Sequence, residues 1–144
     1  MIYKAQLSDA AIVAKLAEKV WRSATADDLV EEFEKFLVRE DSATFLYIAN
    51  NEPIGFAQCQ LRNDYVEGTE SSPVGYLEGV YVNPVYRMNG YAKALVAACE
   101  EWAKSKGCTE FASDCELHNT DSLAFHLRIG FTEANRIICF TKTL

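Results

Sequence analysis

At 144 residues, 49% hydrophobic and 24% charged, the chain has the length and composition of one globular domain with a full core, and leaves no room for a disordered half. Its formal net charge of −7, from 14 basic and 21 acidic residues, argues against nucleic acid as a partner and admits a polycationic one, although acidity also serves solubility alone. Five scattered cysteines (Cys59, Cys99, Cys108, Cys115 and Cys139) with no C-x-x-C pair predict reduced thiols and a cytoplasmic protein. Lys4, Asp9 and Lys15 interrupt any leader-like run, and no stretch nears the roughly 20 apolar residues of a membrane span.

In chain order, Ile2 to Ala5 reads as a short strand. Ser8 and Asp9 cap a helix with Ile12, Val13, Leu16, Ala17 and Val20 at helical spacing, closed by Trp21. A second helix starts at Asp27 or Asp28 and carries Leu29, Phe33, Phe36 and Leu37 on one stripe. Thr44 to Ala49 and Ile54 to Leu61 form a hairpin about Asn50-Asn51, and Asn63 to Pro73 is a polar loop. Gly75 to Val82 is the central strand. Gly90 to Ser105 is an amphipathic helix stopped by Gly107, with Ala92, Leu95, Val96, Cys99, Trp102 and Ala103 facing inward. A strand over Cys108 to Asp114, a helix over Asn119 to Ile129 and a last strand over Ile137 to Lys142 complete the chain. This order contains one β-α-β crossover and predicts an α/β or α+β domain over residues 1–144, with a mixed sheet.

The chemistry concentrates between Gly75 and Lys93. An apolar strand stopped by Pro84 leads through Arg87-Met88-Asn89-Gly90-Tyr91-Ala92 into a helix, an Arg-x-x-Gly-x-Ala pattern. Gly90 lets backbone approach a ligand, the helix start presents unpaired N–H groups, and Arg87 adds a charge; together they suit a phosphate. The loop lacks the Gly-Lys-Ser/Thr ending of a P-loop and the second early glycine of a dinucleotide fingerprint.

This pattern resembles the acetyl-CoA motif of the GNAT N-acetyltransferase superfamily. Asn119-x-x-Ser122-x-x-x-His126-x-x-x-Gly130-Phe131 resembles that superfamily's next motif with every spacing kept, and the element order matches throughout. Within it, TESSPVGYLEGVYVNP, CTEFASD, Trp21 and the Asp114…Asn119 spacing resemble the aminoglycoside 6'-N-acetyltransferases, Glu78-Gly79 being the most telling pair. The resemblance implies a mixed, mostly antiparallel sheet of six to seven strands with about four helices, and a homodimer sharing sheet edges. It implies acetyl transfer from acetyl-CoA to the 6'-amine of the drug by direct attack in a ternary complex, with no metal and no membrane.

By the same resemblance, the backbone of Val80, Tyr81 and Val82 binds the pantetheine arm. Arg87, Met88, Asn89, Gly90, Tyr91, Ala92 and Lys93 hold the pyrophosphate, and Asn119 bonds the cofactor. Attack on a thioester needs an uncharged amine, so a base must take a proton from an ammonium. Asp114 and Glu78 are the carboxylates assigned to that amine, Asp114 foremost as the base. The competing roles are a helix cap for Asp114 and an arginine pair for Glu78, an acid inside an apolar strand being costly without a partner. His126 stands where the superfamily usually has a tyrosine that protonates the leaving thiolate; a histidine can also donate, or be structural.

Trp21 and Tyr65 match aromatic positions lining the sugar pocket, a core role being the alternative, more so for Trp21. Asn135 occupies a drug-contact position where an acid is expected. Acids of the polar loop, Asp64, Glu67 and Glu70, add negative field or are merely solvated. A covalent route through Cys115 has no paired base in sequence. The alternative functions are acetylation of another small polyamine or amino sugar, or acyl-CoA binding without turnover.

Overall fold

The computed structural model describes all residues, 1–144. Five strands form one sheet in sequential order: β1 (Ile2–Lys4), β2 (Ser42–Ala49), β3 (Glu52–Arg62), β4 (Val74–Val82) and β5 (Phe111–Ser113). All neighbours are antiparallel except β4 and β5, which run parallel because α3 (Tyr91–Ser105) crosses between them. Helices α1 (Ala10–Ala17) and α2 (Ala26–Leu37) cover one face of the sheet, α3 covers the other, and α4 (Thr120–Arg128) follows β5. No helix is long and apolar enough to cross a membrane.

Local chemistry sets these boundaries. Thr25 and Asp28 form a reciprocal capping box, so α2 begins at Ala26, one or two residues before the expected start at Asp27 or Asp28. Asn50 and Asn51 both take positive φ (51° and 63°), the geometry of the two-residue turn that the hairpin needs. The α3 stripe buries Leu95, Val96, Cys99, Trp102 and Ala103 against Ala43, Ala57, Cys59, Leu77 and Val82. Across the sheet, Val13, Ala14, Ala17, Leu29 and Phe33 pack on Leu46 and Phe56. Cys59, Cys99 and Cys108 are buried free thiols, whereas Cys115 and Cys139 are exposed.

Two strand expectations need correction. The segment from Cys108 to Asp114 forms only the three-residue β5, because its pairing with β4 ends at Leu77–Ser113. Ile137 to Lys142 is not a strand of this sheet: it finds no ladder partner, and Ile137, Ile138 and Phe140 stand 62%, 79% and 88% exposed. The sheet therefore has five strands rather than six or seven.

Candidate active site

The site is built on a slip in the ladder between β3 and β4. Gln58 pairs with Gly79 but Cys59 pairs with Leu77, so Glu78 is an extra residue, a β-bulge. Ordinary alternation would send Glu78 and Gly79 to opposite faces. The bulge instead turns both towards the α1–α2 side: Glu78 lines a cleft there with Trp21, and the missing Cβ of Gly79 points at the Trp21 ring. Leu77 before the bulge and Val80 and Val82 after it pack on the α3 side.

That cleft has a volume of about 330 Å³, within the range of small-molecule sites. Phe33 and Trp21 supply its aromatic wall, and Glu32, Gln58, Gln60 and Glu78 its polar groups. Trp21 belongs both to the core and to the cleft. Its ring centroid lies 6.3 Å from Phe33 and 6.1 Å from Phe56 in the core, while its edge opens on the cleft.

Glu78 does pair with an arginine. Its Oε1 accepts from Gln60 Nε2 (2.7 Å), Arg62 Nε (3.1 Å) and an Arg62 terminal nitrogen (2.9 Å), while Oε2 accepts one bond at 3.1 Å. The burial cost of an acid on this strand is thus met by Gln60 and Arg62, which stand on the adjacent strand. Oε2 is the oxygen left freer to meet an amine.

Asp114, one residue past β5, does not cap α4; Asn119 does, its Oδ1 accepting from Ser122 N at 3.1 Å. The Asp114 carboxylate instead accepts a hydrogen bond from the Tyr76 hydroxyl. Burial of Tyr76, which is 6% exposed, and then the bond to Asp114 hold that phenol far above its ordinary range, so it remains a donor. The guanidinium of Arg62 lies 3.5 Å from the Tyr76 ring centroid.

His126 is held at both nitrogens. Nδ1 donates to the Ser122 carbonyl (2.7 Å), and Nε2 faces the Ser113 hydroxyl (2.8 Å). The ring also sits 5.2 Å from Phe131. This arrangement ties α4 to β5.

The cofactor side follows from where pairing stops. Beyond Leu77 the β5 edge of β4 has no ladder partner, so Val80, Tyr81 and Val82 pair only with β3 and can take an added extended amide chain. Met88 (φ 65°) and Gly90 (φ 79°) turn the loop in left-handed conformations, and space around Gly90 is open. The first intrahelical bond of α3 is Ala94 N to Gly90 O, which leaves the amides of Tyr91, Ala92 and Lys93 for an anion. Arg87 spends Nε on the Val82 carbonyl (2.9 Å), tying loop to strand with the rest of its guanidinium free. The Asn89 amide bonds the Tyr86 and Arg87 carbonyls, and Met88 is 91% exposed; both serve through backbone. An acyl-CoA thus finds an open strand edge leading to a helix start, and the residues present fit it.

Tyr65 and Asn135 are not brought into the cleft. Tyr65 stands 77% exposed in its loop, and Asn135 Nδ2 donates to Glu67 Oε2 (3.0 Å), holding the C-terminal segment to that loop. Sequence inspection missed Arg62, Gln60 and Tyr76. An acid in an apolar strand demands a polar or basic partner on a neighbouring strand, a signal that calls for such a residue without naming which one. It also missed Glu110, whose carboxylate accepts from the amides of Glu70 (2.9 Å) and Ser71 (2.8 Å) and from the Ser71 hydroxyl.

Residues 11–131 match the acetyltransferase (GNAT) family. The aminoglycoside N(6')-acetyltransferase type 1 of Stenotrophomonas maltophilia is 42% identical over 99% of this chain and 93% of its own length; that of Salmonella typhimurium is 40% identical over 88% of each. Among solved structures, the aminoglycoside acetyltransferase AAC(6')-Iy in complex with CoA superposes with a TM-score of 0.96 at 36% identity, covering 100% of this chain and 95% of that one. The same enzyme with a bisubstrate analogue, CoA-S-monomethyl-acetylneamine, gives 0.94 at 36% identity, covering 100% and 98%. With the open strand edge, the glycine loop and a match over most of its length, this chain belongs to the GNAT acetyltransferase family.

Proposed function

We propose that this chain is an aminoglycoside 6'-N-acetyltransferase, a single domain over residues 1–144 that moves acetyl from acetyl-CoA to the 6'-amine of the drug and so confers resistance. The observation that carries this reading is the bulge at Glu78, which sets a carboxylate and the Trp21 ring on one face of β4 while the same strand's open edge faces the donor. An ammonium-bearing sugar meets an aromatic wall and acids in that cleft. The relatives named above carry the matching activity in their names.

In this reading Val80, Tyr81 and Val82 align the thioester arm, and their main-chain donors face the charge that develops on its carbonyl oxygen. The pyrophosphate rests on the backbone from Met88 to Lys93 beside Arg87, and the Nδ2 of Asn119 is available to the cofactor. Glu78 Oε2 and Asp114 gather the substrate ammonium; Asp114 takes its proton, directly or through a water, and the free amine attacks the thioester carbonyl. The tetrahedral adduct loses its second N–H proton to solvent and collapses with cleavage of the C–S bond, releasing CoA as a thiolate that water protonates. His126, engaged by Ser122 and Ser113, supports a positioning role better than that of direct acid to the thiolate. Tyr65 and Asn135 enter as outer contacts of a bound drug, reached from the 63–73 loop and the C-terminal segment.

A homodimer completes this reading, because Ile137, Ile138 and Phe140 leave an apolar surface that a second copy would cover. The five free thiols support a reducing, cytoplasmic setting, and the net charge speaks against nucleic acid. The test follows CoA release from purified protein with kanamycin-type drugs bearing or lacking a free 6'-amine, spermidine, glucosamine and a short peptide. Turnover confined to drugs with a 6'-amine is expected. Turnover of spermidine alone, or acetyl-CoA binding with no acceptor, overturns the assignment; sedimentation of the same sample reads the dimer.

A further inference from the structure

We propose that Arg62 and Tyr76 act as one bridge that sets Glu78 and Asp114 as a coupled pair, making both side chains positioning residues of the amine site. The inference rests on the reading of Glu78 and Asp114 as the amine's carboxylates. Those carboxylates come from different elements, the bulge of β4 and the segment after β5; the Leu77–Ser113 pairing brings their backbones level but does not set which carboxylate oxygens face the amine. The bridge does. Arg62, at the end of β3 opposite Val74, reaches back along the cleft face to Glu78 through Nε and a terminal nitrogen. On the way its guanidinium lies flat enough over Tyr76 to sit 3.5 Å from the ring centroid. Tyr76, wedged beside Val66 and Val74 and 6% exposed, then donates from its hydroxyl to Asp114 Oδ2.

Each contact removes a freedom that the chemistry would otherwise have to overcome. The Tyr76 bond commits Oδ2 and leaves Oδ1 as the oxygen offered to the amine, since no other protein group bonds this carboxylate. The guanidinium does the same for Glu78, loading Oε1 together with Gln60 and leaving Oε2 with a single bond. Because one planar group touches both Glu78 and the Tyr76 ring, moving it displaces both oxygens. A lysine has the charge but neither the fork nor the stacking face, so the bridge is specific to arginine. Tyr76 lies in the β4–β5 pairing, opposite Ala112, which anchors the tyrosine end to the strand that leads to Asp114.

The test compares wild type with Tyr76→Phe, Arg62→Lys and the double variant. Tyr76→Phe deletes one hydroxyl and keeps the ring. It is expected to lower kcat about tenfold to a hundredfold, the scale of a misplaced reacting group, with the KM for acetyl-CoA within twofold of wild type and the thermal midpoint retained. Arg62→Lys is expected to fall short of rescue, raising the KM for the amine substrate roughly tenfold, and the double variant to lose less than the product of the two. Wild-type kcat in Tyr76→Phe, or full activity in Arg62→Lys, overturns the bridge. A readout independent of turnover separates this failure from failure of the functional reading. Tyrosinate absorbance of Tyr76, taken as wild type minus Tyr76→Phe, is expected to emerge only above the ordinary tyrosine range, and to emerge at lower pH in Asp114→Asn. An unchanged titration in Asp114→Asn overturns the Tyr76–Asp114 link even if no drug is acetylated.

Discussion

Gly79→Ala puts a single methyl where the cleft's aromatic wall touches the strand. A Cβ there would lie 2.8 Å and 2.9 Å from the two nearest Trp21 ring carbons, well inside ordinary contact. The ring cannot step aside cheaply, because Phe33 and Phe56 back it at centroid distances of 6.3 and 6.1 Å. Overpacking of this kind costs about 1–3 kcal/mol. If the core yields, the midpoint of thermal unfolding falls by roughly 3–8 °C for a chain of this size. If Trp21 yields instead, it moves into the cleft and the same energy emerges as an amine-substrate KM raised about tenfold or more, one factor of ten per 1.4 kcal/mol. Calorimetry and steady-state kinetics on one preparation read both channels, and Trp21→Phe in the Gly79→Ala background should recover part of either loss. A variant with wild-type midpoint and wild-type KM would refute the claim that Trp21 rests on Gly79.

Four further outcomes are expected. Asp114→Ala should lower kcat about 10²–10⁴-fold while acetyl-CoA binding, measured by calorimetry, is kept; Glu78→Gln should chiefly raise drug KM, about tenfold. Gly90→Ala has room for its methyl but needs φ near 79°, so about 1–2 kcal/mol of strain should weaken acetyl-CoA binding several-fold and leave drug affinity alone. Glu110 is held below the ordinary carboxylate value of 4.5, first by the Ser71 hydroxyl and then by the Glu70 amide. A depressed pKa gives stabilisation that is present above the unfolded value and lost as pH falls through the folded one. The 63–73 loop should therefore loosen in acid below about pH 4.5, seen as faster proteolysis, and Glu110→Gln should show that susceptibility already at pH 7.

The parts of the molecule visible in sequence are those fixed by neighbours in the chain. The Asn50-Asn51 turn, the α3 stripe from Leu95 to Ala103 and the glycine loop at Gly90 are each set within a few residues, and each stands where expected. Pairing is what sequence hides. The phase of β4 breaks at Glu78 only because β3 offers Cys59 to Leu77, and no local pattern records that. Ile137 to Phe140 has the alternation of a strand, but a strand exists only beside another, and none is adjacent. The arginine partner of Glu78 was foreseeable as a type and not as Arg62, since naming it needs the register of the hairpin.

The slip at Glu78 has a consequence for how such a domain changes over time. Because β4 reverses phase there, Tyr76, Glu78 and Gly79 share one face with Gln58 and Gln60, while Val80 and Val82 return to the other. Substitutions that alter which amine is accepted can accumulate at the first set without disturbing the second, and cofactor use is insulated from acceptor drift by one inserted residue. Deleting that residue would leave Leu77 opposite Cys59 and Gly79 opposite Gln58, so the ladder would run on in regular alternation and every other side chain would keep its face; only the Glu78 carboxylate would leave the cleft, with the thioester edge of the strand still intact.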